Sequence, residues 1–187
     1  MGEHLLSNDS TSAGYLTPTG IEPTYDEALE REISRWIRGV TGLEVNKVFP
    51  RWTETQPKIP NSGVTWCEFG ITAIPQDYSP AHVQNDSEHS EQWSHESISV
   101  ICCFYGPSGQ RTATLFRDGM AVAQNNEELN VTAGLTLLEC GRIISVPELI
   151  NNTWVRRYDI TVTLRRKTIR EYNIKSLVDS PVKIFGE

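Results

Sequence analysis

No stretch of roughly eighteen apolar residues occurs in this 187-residue sequence, which excludes an evident membrane-spanning helix. Met1 to Thr19 lack the basic start and apolar core of a secretory signal, so the chain is expected to be made and kept in a cytoplasm. Cysteine is scarce. Cys67, Cys102, Cys103 and Cys140 show no C-x-x-C spacing, and three of them sit in apolar runs where a free thiol behaves as a small hydrophobe. Lysine and arginine are missing altogether between Lys58 and Arg111, an interval that holds Glu68, Asp77, Asp86, Glu88, Glu91 and Glu96. Such a surface repels DNA, and its plainest reading is a solvated acidic loop.

The marks of catalysis are also lacking. Cys102 and Cys103 lie in an apolar run without a nucleophile-elbow sequence. Tyr105-Gly106-Pro107-Ser108-Gly109-Gln110-Arg111 occupies the position of a phosphate loop, but has neither the lysine of a Walker loop nor the three glycines of a dinucleotide fold. A helix cap at Ser108 is the better reading. His82, His89 and His95 lie among carboxylates, yet their gaps of seven and six residues do not suit zinc. No catalytic, cofactor or metal residue is assigned, and an enzyme is not expected.

What is present suits one folded unit with a short appendage: 38% hydrophobic residues and a net charge of −7. Residues 1–100 hold 15 acids against 6 bases, and residues 101–187 hold 9 against 11, so the charge is uneven along the chain. Residues 1–24 are rich in Ser, Thr, Gly, Asn and Pro and read as a flexible N-terminal arm whose segment Tyr15 to Tyr25 is a candidate to order on assembly. Residues 25–187 read as a single domain. Leu29, Ile33, Trp36, Ile37 and Val40 predict a first helix, with acids at its start and arginines near its end. Ala113, Phe116, Met120 and Ala123 predict a second, ending near Gln124 to Asn126.

Strands are predicted at Leu43 to Phe49, Val64 to Ile74, Gln92 to Tyr105, Leu135 to Leu138, from Trp154 onward, and at Ile169 to Ile174. The order gives an α+β fold with two helices packed on a mainly antiparallel sheet. In the strand from Trp154, Tyr158, Ile160, Val162 and Leu164 face one way, while Arg157, Asp159, Thr161, Thr163 and Arg165 form a wet, charged face. Arg165-Arg166-Lys167 reads as a hairpin corner. An arginine beside an aspartate on an exposed face suits contact with another subunit, so Arg156, Arg157, Asp159, Arg165 and Arg166 are the candidate interface. The wider basic set, with Lys167, Arg170 and Lys175, leaves nucleic acid or plain solvated surface as alternatives.

Three passages carry a resemblance: Trp36-Ile37-Arg38-Gly39-Val40-Thr41-Gly42-Leu43, Ser99 to Gly106, and Val146-Pro147-Glu148-Leu149 leading to Trp154-Val155-Arg156-Arg157-Tyr158-Asp159-Ile160. Over about residues 25 to 175 the chain resembles the phage neck and tail terminator proteins. That resemblance implies a structural virion protein, assembled in the host bacterial cytoplasm. It would form a homo-oligomeric ring, a hexamer, at the head-proximal end of a tail. Its partners would be tail tube and neck or connector proteins, with no membrane and no cofactor. DNA would pass through the channel without specific binding, and an acidic loop at Asp86, Glu88 and Glu91 would line it. The alternatives are a head-completion stopper or tail tube protein, or a ligand-binding module or small enzyme.

Overall fold

The computed structural model describes residues 15–55, 57–61, 63–84 and 89–174. Its contacts gather into two compact units. One contains described residues up to Pro23, from Asp77 to Ser94, and from Thr168 onward; the other contains Thr24–Gln76 and His95–Lys167.

In the larger unit, α1 spans Asp26–Thr41 and buries Leu29, Ile33, Trp36 and Ile37, one stripe of a 3.6-residue period. It stops at Gly42, whose φ of 75° lets its N–H reach the Arg38 carbonyl at 2.8 Å. The expected strand from Leu43 begins only at Val48, after a 3-10 turn at Val45–Lys47. Strands β1 (Val48–Pro50), β2 (Trp66–Ala73), β4 (His89–Tyr105), β9 (Arg157–Asn173) and β5 (Thr136–Cys140) lie side by side in that order. β1 is parallel to β2, and the pairs β2 with β4 and β5 with β9 are antiparallel. The short β6 (Ile144–Ser145) also pairs with β9.

Alternation along β4 divides the sheet's two faces. Ile98, Val100, Cys102 and Phe104 join Phe69, Ile160, Val162 and Leu164 beneath the helices, where Phe104 and Trp36 both meet Phe116. Helix α2 (Gly109–Met120) contributes Thr112, Ala113, Phe116 and Met120 to this core. Ser108 precedes α2, but its side chain makes no capping bond; its N–H instead donates to Thr65 Oγ1 at 3.0 Å. At Gly106, φ is +91° and an added Cβ would lie 2.1 Å from the Val64 carbonyl oxygen, so both conformation and space require glycine.

Two expectations are corrected. A third helix, α3 (Ala123–Ala133), follows where the second was expected to fade, and buries only Leu129. Asn125 and Asn126 donate to the Gly119 and Met120 carbonyls at 2.8 and 3.0 Å, so amides at the start of α3 satisfy the end of α2. Nor does the chain turn at Arg165-Arg166-Lys167. β9 continues to Asn173, because Arg166 takes the next inward position after Leu164 and finds partners for its charge.

In the smaller unit, β3 (Ala81–Gln84) pairs antiparallel with the first part of β4. Thr19 N–H donates to the Glu171 carbonyl at 2.8 Å, and Glu22 stands 3.7 Å from Arg170. The described part of the expected arm is therefore tied to the end of β9. Ser94 and Thr168 share a buried hydroxyl bond of 2.6 Å.

Candidate interaction surface

The face of the larger unit's sheet opposite the helices is built on aromatics. Phe49 stacks on Trp66 at 5.3 Å, and Trp66 on Tyr105 at 4.0 Å with rings nearly parallel. Cys103 and Val155 complete this second apolar cluster. Each aromatic pair contributes about 0.5–1.5 kcal/mol beyond its burial.

Over this cluster lies a β-hairpin, β7 (Glu148–Ile150) and β8 (Thr153–Val155), joined by Asn151 and Asn152 with φ of 47° and 62°. Two successive left-handed residues make the tight turn that matches strand twist, and asparagine tolerates that conformation better than most residues. Val155 and Ile150 join the inner cluster. The pair Leu149 and Trp154, opposite each other in register, points outward at 53% and 71% exposure.

A polar clamp fixes the hairpin. The Tyr105 hydroxyl donates to Glu148 Oε2 at 2.9 Å, and Arg157 Nη1 reaches the same oxygen at 2.9 Å. Arg157 also grips Asp159 through Nε and Nη2, both at 2.7 Å. Cys103 Sγ accepts from Arg51 at 3.1 Å and Arg157 at 3.4 Å.

Burial alone would raise the Glu148 carboxyl, but the Tyr105 hydroxyl and Arg157 outweigh it and hold it below its ordinary value. Burial, with the Glu148 acceptor, pushes the Tyr105 phenol well up, so it remains a donor. Burial would ease the proton off Arg157, yet Asp159 and its neighbours win and keep it charged. The Cys103 thiol is pushed up to about 12, first by burial and then by Asp159, against the pull of the two arginines. This cysteine is a packed neutral thiol rather than a nucleophile.

The sequence candidates therefore separate. Arg157 and Asp159 are joined to each other, and their side chains are only 14% and 11% exposed, so this end of the face expected to be wet is covered. Sequence periodicity alone had no way to foresee the hairpin that lies over them. Arg156 is exposed at the break between β8 and β9, Arg165 is half-buried, and Arg166 is buried. Among the acidic candidates, Asp86 and Glu88 lie outside the described residues. Glu91 accepts from Trp93 Nε1 at 2.5 Å on β4. Among the described residues, no group of three metal-ligating side chains is brought together. None of their helices is long and apolar enough to cross a membrane.

The hairpin was missed at the sequence level, where Val146 to Leu149 read as a leader to one long strand. The signal was Asn151-Asn152 between Ile150 and Thr153. Comparison with curated proteins gives no match. A family model described as phage neck terminator protein matches residues 27–187, a span that includes α2, α3, the clamped hairpin and all of α1 but its first residue. The chain thus belongs to the phage neck terminator family and is a structural component of the phage virion.

Proposed function

We propose that six copies of the chain close into a ring at the head-proximal end of a phage tail, end the growth of the tail tube and join the tail to the neck. The hairpin is the observation that carries this reading. A tryptophan and a leucine held outward on a rigid base have the character of an interface anchor, because little side-chain or backbone freedom is left to lose on docking. Heterologous contacts between unlike surfaces generate rings when the rotation closes. Tail tube and neck or connector proteins are the partners, and DNA passes through the channel without specific binding, in keeping with the net charge of −7. Assembly takes place in the host bacterial cytoplasm.

Light scattering at low and moderate salt is the first test: six protomers of 21.1 kDa give about 127 kDa. Phage lacking the protein should carry tails of uncontrolled length. Normal tail length with leaking heads would instead identify a stopper. A monomer that fails to bind purified tail tubes refutes the proposal.

A further inference from the structure

Between α1 and α3, on the side of the sheet opposite the hairpin, lies an open groove of about 220 Å³. Trp36, Gly39 and Val40 line it from α1, and Glu128 and Leu129 from α3. A helix interior disfavours glycine, and at Gly39 neither a positive φ nor crowding calls for one, since an added Cβ would meet nothing within 4 Å. What the missing side chain leaves is room. A cavity of about 150 Å³ holds benzene, so this groove can take one large aromatic side chain. Its rim is acidic: α3 contains no lysine or arginine, and Arg35, the cation that also lines the groove, is held by Glu32 at 2.8 Å. Glu128 has no cationic partner among the described residues.

The hairpin carries the complement. Trp154 is 71% exposed beside Leu149, and exposure alternates from Trp154 through the buried Val155 to Arg156, so Arg156 stands on the same side as the tryptophan. Its guanidinium has no carboxylate partner among the described residues. Hairpin and groove lie on opposite faces of one sheet, so a protomer's hairpin cannot fill its own groove. We propose that Trp154 of one protomer enters the α1–α3 groove of a second copy of this chain, with Arg156 beside Glu128, an inference that rests on the ring reading and names the contact between its protomers. An aromatic anchor seated in a pocket, with a charged pair at the rim, sets both the affinity and the register of such a contact. The two surfaces are unlike and face opposite ways, so the contact repeats from copy to copy and closes when the rotation allows.

The test is sedimentation of two full-length variants, apart and mixed, at up to about 1 mM protein, where even millimolar contacts register. Gly39→Leu fills the groove and Trp154→Ala removes the anchor; both positions are exposed, and melting curves confirm that both variants fold. Each alone should sediment as the 21.1 kDa protomer. Mixed in equal amounts they should give a heterodimer of about 42 kDa and nothing larger, because one intact anchor meets one intact groove and neither end can continue. Arg156→Glu should weaken association about fivefold, and adding Glu128→Arg should restore it. A ring that survives Gly39→Leu, or a mixture that stays monomeric, overturns this inference and leaves the ring standing. Wild type that stays monomeric both free and with purified tail tubes removes the ring reading and this contact with it. A Gly39→Leu protein that still forms the ring but no longer binds tail tubes assigns the groove to the tube protein and overturns the proposal.

Discussion

Replacing Tyr105 by phenylalanine isolates the clamp on the β7–β8 hairpin. The ring keeps its 4.0 Å stack on Trp66, and only the hydroxyl bond of 2.9 Å to Glu148 is lost. Hydrogen bonds to charged groups contribute about 1.5–3 kcal/mol. Here Glu148 is 41% exposed and keeps Arg157 at 2.9 Å, so water and the guanidinium replace much of the loss. We expect a cost of about 1 kcal/mol, a fall in Tm of roughly 2–4 °C for a chain of this size. Tyr105→Leu also loses the stack and should cost about 3 kcal/mol. The pH dependence follows from the Glu148 carboxyl, held below its ordinary value of 4.5 in the folded protein. Its stabilisation is present above that value and is lost as pH falls through the lower folded value. The gap between wild type and Tyr105→Phe should therefore narrow below pH 4.5. Thermal melts at neutral and acid pH, with hydrogen exchange of the Glu148 to Val155 amides, measure both effects. A Tyr105→Phe protein that melts with wild type, or as low as Tyr105→Leu, would refute the clamp.

Trp154→Ala should leave stability within about 0.5 kcal/mol, because the side chain is 71% exposed, while weakening self-association or tail binding more than about tenfold, as read by melts and sedimentation. Gly106→Ala should cost more than about 3 kcal/mol in urea unfolding, since both φ and the Val64 carbonyl oppose a Cβ. Glu96→Ala leaves the buried Arg166 guanidinium without its 2.6 Å partner and should cost about 3–5 kcal/mol by the same measurement. In native protein, a thiol reagent should reach Cys140 first and slowly, with Cys67, Cys102 and Cys103 reacting only on unfolding; early loss of Cys103 would contradict its packed environment.

Amphipathic pattern was enough for α1, α2 and the inward rows of β2, β4 and β9, because one face of each meets a single core and the period of the chain repeats in its burial. Helix α3 escaped notice because its stability comes from one leucine and from asparagine amides on the carbonyls of α2, a signal with no period. The corner expected at Arg165 to Lys167 was misplaced for a related reason. A cluster of charge reads as solvent-facing until a specific partner appears, and Glu96 is seventy positions away in the chain.

By itself the sequence determined an α+β chain with an acidic half and a basic strand, because composition and periodicity are properties of neighbouring residues, and three of its passages carried the resemblance to the neck terminators. Tertiary structure alone decided which charges are spent inside the protomer and which surfaces are offered. Arg157 and Asp159 close on one another and on Glu148 of the hairpin, Trp154 is turned outward by its register with Leu149, and Arg166 is drawn inward with its Nη2 unmet among the described residues. Those outcomes depend on groups brought together from distant parts of the chain, where pairing and burial, rather than residue type, set whether a charge stabilises the fold or remains available to a partner.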